Sequence, residues 1–399
     1  MDKGKNPFSP GAGTPPPELA GRESLLEDIC VALERIKAGR PEKSMFIVGL
    51  RGVGKTVLLV EIKSLAIEKG YKVAYVEAHE SKQKKSLPEL LAPELRAILY
   101  ELDRGEKIAA KARHALGVLK SFINGLKLKC SGIEIGYDAE IGVADSGMLE
   151  TDLPKLFLAV GEAAKEKETG VAIIIDELQY LEEEELSALI MSAHKVAQEA
   201  LPVIVIGAGL PQLVGKAGNS KSYAERLFSY PVLDKLEKDD AISALQKPVQ
   251  ELGVEFTQEA LDEIVQATKG YPYFLQEWGK HSWNIAEKSP ITAEDVKKAT
   301  TIAIQNLDRD FFKVRFDRLT PSEKKYVRAL AELGANPQRS GDIADMLNVK
   351  VNSVAPIRSQ LIKKGMIYSP AHGDTAFTVP LFEEFLIRMI PNYSAVDEN

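Results

Sequence analysis

Cysteine is nearly absent from this chain, with only Cys30 and Cys130 among 399 residues, which excludes a small scaffold stapled by disulfides and points to a reducing compartment, the cytoplasm. Histidine is also scarce: His79, His114, His194 and His281 are scattered, with no second ligand at metal spacing. Long apolar runs are missing. The stretch around Ile173–Ile175 is broken by charge well short of the ~18 residues that a membrane-spanning helix needs, so no membrane association is expected. The opening MDKGKNPFSPGAGTPPP lacks the apolar core of a secretory signal. Positive charge is in deficit overall, at net −7, so any nucleic-acid partner requires basic residues concentrated locally. What is present is ordinary: 45% hydrophobic and 27% charged residues, over a length sufficient for two or three cores.

The first 17 residues, rich in Pro, Gly and Ser, predict a flexible arm. From residue 18 to 236 apolar runs alternate with amphipathic helical patterns. Met45–Val48, Lys72–Ala78, Val171–Ile175 and Val203–Ile206 read as strands apolar throughout, the pattern of a parallel sheet covered on both faces. Residues 81–169 read as an insertion, Lys- and Ala-rich helices followed by LKLKCSGIEIGYDAEIG, whose alternation predicts a strand pair. Residues 237–309 are helical in pattern, with Thr292-Ala-Glu-Asp295 as a capping box. In 310–399, Thr320-Pro-Ser-Glu323 opens a helix to Leu333, Ser340–Leu347 and Asn352–Lys364 follow, and Met366–Ser369 and Thr375–Val379 flank a turn. Three helices and a hairpin is the order of a winged helix-turn-helix.

Gly49-Leu50-Arg51-Gly52-Val53-Gly54-Lys55-Thr56 is a complete GxxxxGK[ST], set between an apolar strand and a helix that continues with Val57. Glycines let successive N–H groups converge on a phosphate, and the following helix presents its positive end. Lys55 supplies a mobile charge to the β- and γ-phosphates, and the Thr56 hydroxyl is positioned for Mg2+. Val171–Asp176-Glu177 is an apolar strand ending in two acids. Asp176 suits a metal's water shell, and Glu177 can act as the general base toward water. These residues predict ATP, ADP and Mg2+ as ligands, on an α/β P-loop sheet of the additional-strand class.

Glu18-Leu19-Ala20-Gly21-Arg22-Glu23 resembles the box that wraps the adenine in AAA+ proteins of the origin-recognition type and in related STAND-like ATPases. The resemblance spans roughly Glu18–Ile304, and the appended winged helix suits the initiator branch. It implies a helical lid over 237–309, Leu19, Gly21 and Arg22 lining the base pocket, and homo-oligomers in the ATP state. On spacing alone, Arg22 and Glu23 equally start a helix. Gly270-Tyr271-Pro272-Tyr273 is similar to the glycine-x-proline signature of STAND-type lids, which brings Pro272 to the nucleotide. The fourth strand ends without Asn, Thr or Ser, leaving Gln212 as a displaced substitute for the family's polar sensor and implying slow turnover. Glu225-Arg226-Leu227-Phe228 resembles the box carrying the arginine that AAA+ rings supply in trans, though Arg226 is equally readable as a surface residue.

Between Arg309 and Tyr368 twelve Lys or Arg stand against six Asp or Glu. In an acidic chain that excess is the footprint of phosphate-backbone binding. Asn352–Lys364 is then the recognition helix, with Lys350, Asn352, Ser353 and Arg358 toward the groove of double-stranded DNA, Lys363 and Lys364 on the backbone, and His372 at the wing tip. The sequence thus predicts an ATP-hydrolysing switch that couples nucleotide state to assembly and DNA binding. Winged helices also bind proteins, so a signalling or defence ATPase whose winged helix contacts protein is the alternative.

Overall fold

The computed structural model describes residues 1–11, 13–79, 85–104, 109–128, 134–221, 224–371 and 373–391; His372 and Cys130 lie outside them. Helix α1 (Glu23–Lys37) leads into β1 (Ser44–Val48), α2 (Lys55–Glu68) and β2 (Tyr71–Glu77). Three helices follow, α3 (Leu87–Asp103), α4 (Ala110–Gly125) and α5 (Leu149–Glu166), then β3 (Gly170–Asp176), α6 (Glu183–Gln198) and β4 (Val203–Gly209). After α7 (Leu213–Ser220) and α8 (Ala224–Leu227), β5 (Phe228–Ser229) completes a five-stranded parallel sheet of order β2-β3-β4-β1-β5.

The strand between β1 and the acid-bearing β3 is therefore β4, and β2 lies at the edge. Alternation along β3 explains the two layers. Ala172 and Ile174 pack with α1 and α2, whereas Ile173 and Ile175 pack with α3–α6. The segment read as an insertion thus supplies, together with α6, the cover of one face of the sheet. Its expected strand pair is not formed among the described residues: 134–148 run as bends and turns. Helix α4 takes up that backbone instead. Lys120 Nζ donates to Tyr137 O (2.8 Å), Ser121 Oγ to Glu140 O (2.8 Å), and Glu140 N to Gly117 O (3.3 Å).

Beyond the sheet lie α9 (Lys238–Gln250), α10 (Gln258–Thr268), α11 (Pro272–Ile285) and α12 (Ala293–Asn306), whose capping box at Thr292 and Asp295 is formed as expected. A π-helical turn, Leu307–Phe312, joins α12 to α13 (Lys313–Phe316). Then come α14 (Pro321–Glu332), β6 (Gln338–Arg339), α15 (Ser340–Met346), α16 (Val351–Lys363), β7 (Ile367–Tyr368), β8 (Asp374–Phe377) and α17 (Phe382–Met389). The last three strands form an antiparallel sheet, β6-β8-β7, and Thr320 caps α14 through Glu323.

The four-helix region and the C-terminal unit share one apolar cluster. Phe312 links them, stacking on Phe385 with ring centroids 5.3 Å apart while touching Phe274 at 6.3 Å. The arm, expected to be flexible, also joins this cluster. Phe8 is 3% exposed and fills the space left open by Gly279, where any Cβ would meet its ring at 2.7 Å. Asn6 Nδ2 donates to Lys280 O (3.0 Å) and to Asn284 Oδ1 (2.9 Å). Burial of one phenylalanine, worth about 1.5–3 kcal/mol, offsets the backbone entropy of only one or two ordered residues, so the hydrogen bonds of Asn6 and further contacts of the arm are needed as well. Among the described residues no helix is long and apolar enough to cross a membrane.

Candidate functional site

The glycine-rich loop leaves β1 at the sheet's C-terminal edge and enters α2 through Gly52 (φ +81°) and Gly54 (φ +92°), left-handed positions that favour glycine. Gly49 is needed for another reason: a Cβ there would meet Leu233 O at 2.2 Å. Above the loop is a cavity of about 470 Å³. Its walls include Arg51–Val57, Leu19, Arg22, Glu177, Pro272 and Tyr273, together with Gly11, Gly13 and Thr14 of the arm. Gly49, Leu50 and Gly21 lie behind the wall, and Asp176 beneath it, only 1% exposed.

Lys55 is folded back onto its own loop, donating to Gly49 O (2.9 Å) and Leu50 O (2.7 Å). Burial pulls its ammonium down to about 8, against the attraction of Glu177 and Asp176. Thr56 Oγ1 donates to Asp176 Oδ2 at 2.6 Å, and burial holds that carboxyl above its usual range despite the hydrogen bond. These paired oxygens are hard donors on the floor of a phosphate-sized space, the chemistry that Mg2+ takes. Among the described residues no cluster of three or more His, Cys, Asp or Glu could hold a metal ion.

Strand alternation would send Glu177 to the face opposite Asp176. Instead its φ is +56°, a strained value for a side-chain-bearing residue, and its N–H donates to Asp176 Oδ1 (2.8 Å). The turn brings both carboxylates to the phosphate loop. Glu177 is then held on two sides, by the Gln179 amide and by Arg51 Nη1 at 3.8 Å.

Residues 18–206 match the family model of the AAA ATPase domain. The fold is that of an AAA+ P-loop ATPase. A second family model, described as a domain of unknown function, matches residues 309–386. No curated protein matches the chain. Among solved structures it is similar to the Walker-type ATPase PABY2304 of Pyrococcus abyssi, with 16% identity and a TM-score of 0.61 over 95% of this chain and 99% of that one. Looser likenesses are to the Orc1 protein of Aeropyrum pernix in complex with DNA (15% identity, TM-score 0.46, 96% and 95% covered) and to the RuvB Holliday junction branch migration motor of Thermotoga maritima (15%, 0.44, 90% and 92%).

The AAA+ architecture makes two residues stand out that sequence reasoning missed. Gln179 Oε1 accepts from Leu210 N (3.1 Å) just past the end of β4 while its amide holds Glu177. It thus bridges Glu177 to the backbone just past β4. Gln212, the expected substitute, has its Oε1 buried without a hydrogen-bond partner and lines no part of the pocket. The second is Arg315. The π turn inserts Phe311 against Tyr273, ring centroids 5.0 Å apart, and sets Arg315 over the Phe311 ring at 4.0 Å, inside the nucleotide cavity. Burial, and Arg51 beside it, pull its guanidinium down to about 10. Among the described residues no carboxylate lies within ion-pair distance of it.

Other expected residues are dispersed. Arg22 donates to Asp234 O (2.6 Å) and Gly21 O (3.2 Å), so it tethers one wall of the cavity while lining it. Arg226 is exposed on α8, away from the pocket. Lys350, Asn352 and Ser353 are exposed at the start of α16. Arg358 turns inward, donating to Thr375 Oγ1 (2.8 Å), Ser369 Oγ (2.6 Å) and Asp374 O (2.7 Å), which pins the hairpin to α16. Lys364 is spent on Glu323 Oε2 (2.7 Å), and Lys363 faces the ATPase core. The groove contact expected of Arg358 and the backbone contact expected of Lys364 are corrected, because both side chains are held within the chain, whereas Lys363 is exposed.

Proposed function

We propose that this chain is a Mg2+-dependent ATPase that works as a cytoplasmic switch, its nucleotide state setting the disposition of a C-terminal winged helix. One observation carries the reading: the phosphate loop is bonded to both neighbouring units, Gly52 O accepting from Tyr273 N (3.1 Å) of the four-helix region and Arg51 N donating to Thr378 O (2.9 Å) of the C-terminal unit. A loop that reshapes around a triphosphate must disturb both contacts.

In this reading Lys55 leaves its two carbonyls for the β- and γ-phosphates, the loop amides take the remaining phosphate oxygens, and Thr56 and Asp176 hold Mg2+. Once bound, the ion would supply neutralisation of phosphate charge. Glu177 accepts a proton from the attacking water, whose oxygen bonds to the γ-phosphorus as the bond to the β-phosphate oxygen breaks, giving ADP and phosphate. Arg315 faces the charge that develops there. Arg315→Ala should lower turnover on the order of 10²-fold and leave duplex affinity unchanged. Phosphate-release assays beside mobility shifts test this, since a residue serving only DNA gives the reverse pattern.

Double-stranded DNA as the partner is supported by the helix–strand–helix–helix–hairpin order and by exposed Lys350, Asn352 and Ser353. Lys350→Ala should weaken duplex binding across sequences and reduce the salt slope by about one; absence of any shift at low salt, with or without ATP, rules DNA out. A protein partner is the second reading, favoured by Val349 (44% exposed) and Val351 (49% exposed) flanking Lys350. Homo-oligomers in the ATP state, with Arg226 offered to a neighbour's nucleotide, complete the proposal.

A further inference from the structure

A second, larger cavity lies behind the phosphate loop, between the ATPase core and the C-terminal unit. Its volume is about 1040 Å³. Six cationic side chains line it (Arg51, Lys216, Arg315, Arg318, Lys363 and Lys364) with Glu182 the one carboxylate residue among the described lining residues. Some of this charge is answered locally, Arg51 by Glu177 and Lys364 by Glu323. Arg315, Arg318 and Lys363 are not: among the described residues none has a carboxylate within ion-pair distance. Three arms of positive charge, drawn from α13, the turn after it and the end of α16, converge on a space walled on its apolar side by Val314, Leu319 and Met366.

Like charges held together without counterions raise the free energy of the empty cavity, and an anion relieves it. We infer that this cavity is a binding site for a small, multiply phosphorylated molecule, distinct from the nucleotide site in front of the loop. Size and sign select the ligand. The volume is at the upper end of small-molecule sites, whereas a B-form duplex, with a major groove alone about 12 Å wide, does not enter it. A neighbouring subunit's arginine would be repelled. Arg51 and Arg315 line both cavities, so occupancy of one is read directly by the other.

The test uses the full chain and inorganic tripolyphosphate as the probe, titrated calorimetrically at about 100 mM salt. The wild type should bind two equivalents, one at the phosphate loop and one here. Lys55→Met should retain one. The exposed pair Arg318→Ala/Lys363→Ala should also retain one, the affinity of the second falling at least tenfold, with Arg318→Lys/Lys363→Arg restoring it. Binding of a single equivalent that disappears in Lys55→Met overturns the inference, as does a second equivalent indifferent to the Arg318/Lys363 pair. If Lys55→Met still binds both, the phosphate-loop reading fails and this site stands. Displacement of the second equivalent by duplex DNA would overturn the small-ligand assignment.

Discussion

Lys55→Met should abolish measurable ATP binding and, in the same protein, raise the thermal stability of the nucleotide-free form near pH 7. The first effect follows from losing the one lysine among the described residues that line the cavity; a charged partner removed from a desolvated site costs about 2–5 kcal/mol, or roughly 10²–10³-fold. The second follows from burial. An ammonium held at about 8 against an ordinary 10.5 is destabilising by on the order of 3 kcal/mol while both folded and unfolded chains carry the proton. Below pH 8 that burden is fully present. Between pH 8 and 10.5 the unfolded chain binds the proton and the folded one does not, so wild-type stability climbs with pH. Methionine keeps the volume and removes the charge. Calorimetric melting at pH 7 should show the variant several degrees higher, with the gap narrowing by pH 9–10. By the same linkage, ATP binding to the wild type takes up a proton above pH 8 and weakens as pH rises. A variant that melts lower at pH 7, with a gap insensitive to pH, would remove the account of Lys55.

Glu177→Gln should lower turnover by about 10²–10⁴-fold, the range of a positioned general base, with ATP affinity nearly unchanged. The amide is isosteric, so its contact to Gln179 can be kept, but it cannot accept the proton of water. Because the left-handed turn at Glu177 costs the fold about 1 kcal/mol or more, that conformation persists only where Asp176, Gln179 and Arg51 hold it. Phosphate release measured beside equilibrium binding checks the split; full turnover by the variant would dismiss Glu177 as base.

What could be read in advance was contiguous chemistry. The phosphate loop needs eight adjacent residues, and Asp176-Glu177 ends a strand visible from composition, so both stood out and the folded chain places them together. Sheet order was hidden, since β2 and β4 are both apolar through their length and nothing local says which lies beside β1. Arg315 was counted with the basic residues of the C-terminal unit. Only the π turn at Leu307–Phe312 redirects it into the cavity, and a local widening of a helix leaves no periodic trace. The charge count misled similarly: Arg358 and Lys364 are basic in sequence but neutralised or hydrogen-bonded within their own unit. Phe8 in a Pro- and Gly-rich segment looked like part of a solvated tail, because the gap that receives it is made by Gly279, 271 positions away.

The aromatic weld through Phe312 has a mechanical consequence. With Phe274 on one side and Phe385 on the other, the four-helix region and α17 of the C-terminal unit share one spine of packed rings. On the function proposed above, a shift at Tyr273 would press through Phe274 and Phe312 onto Phe385 of α17, so that the ring chain would act as a crank between the nucleotide cavity and the C-terminal unit.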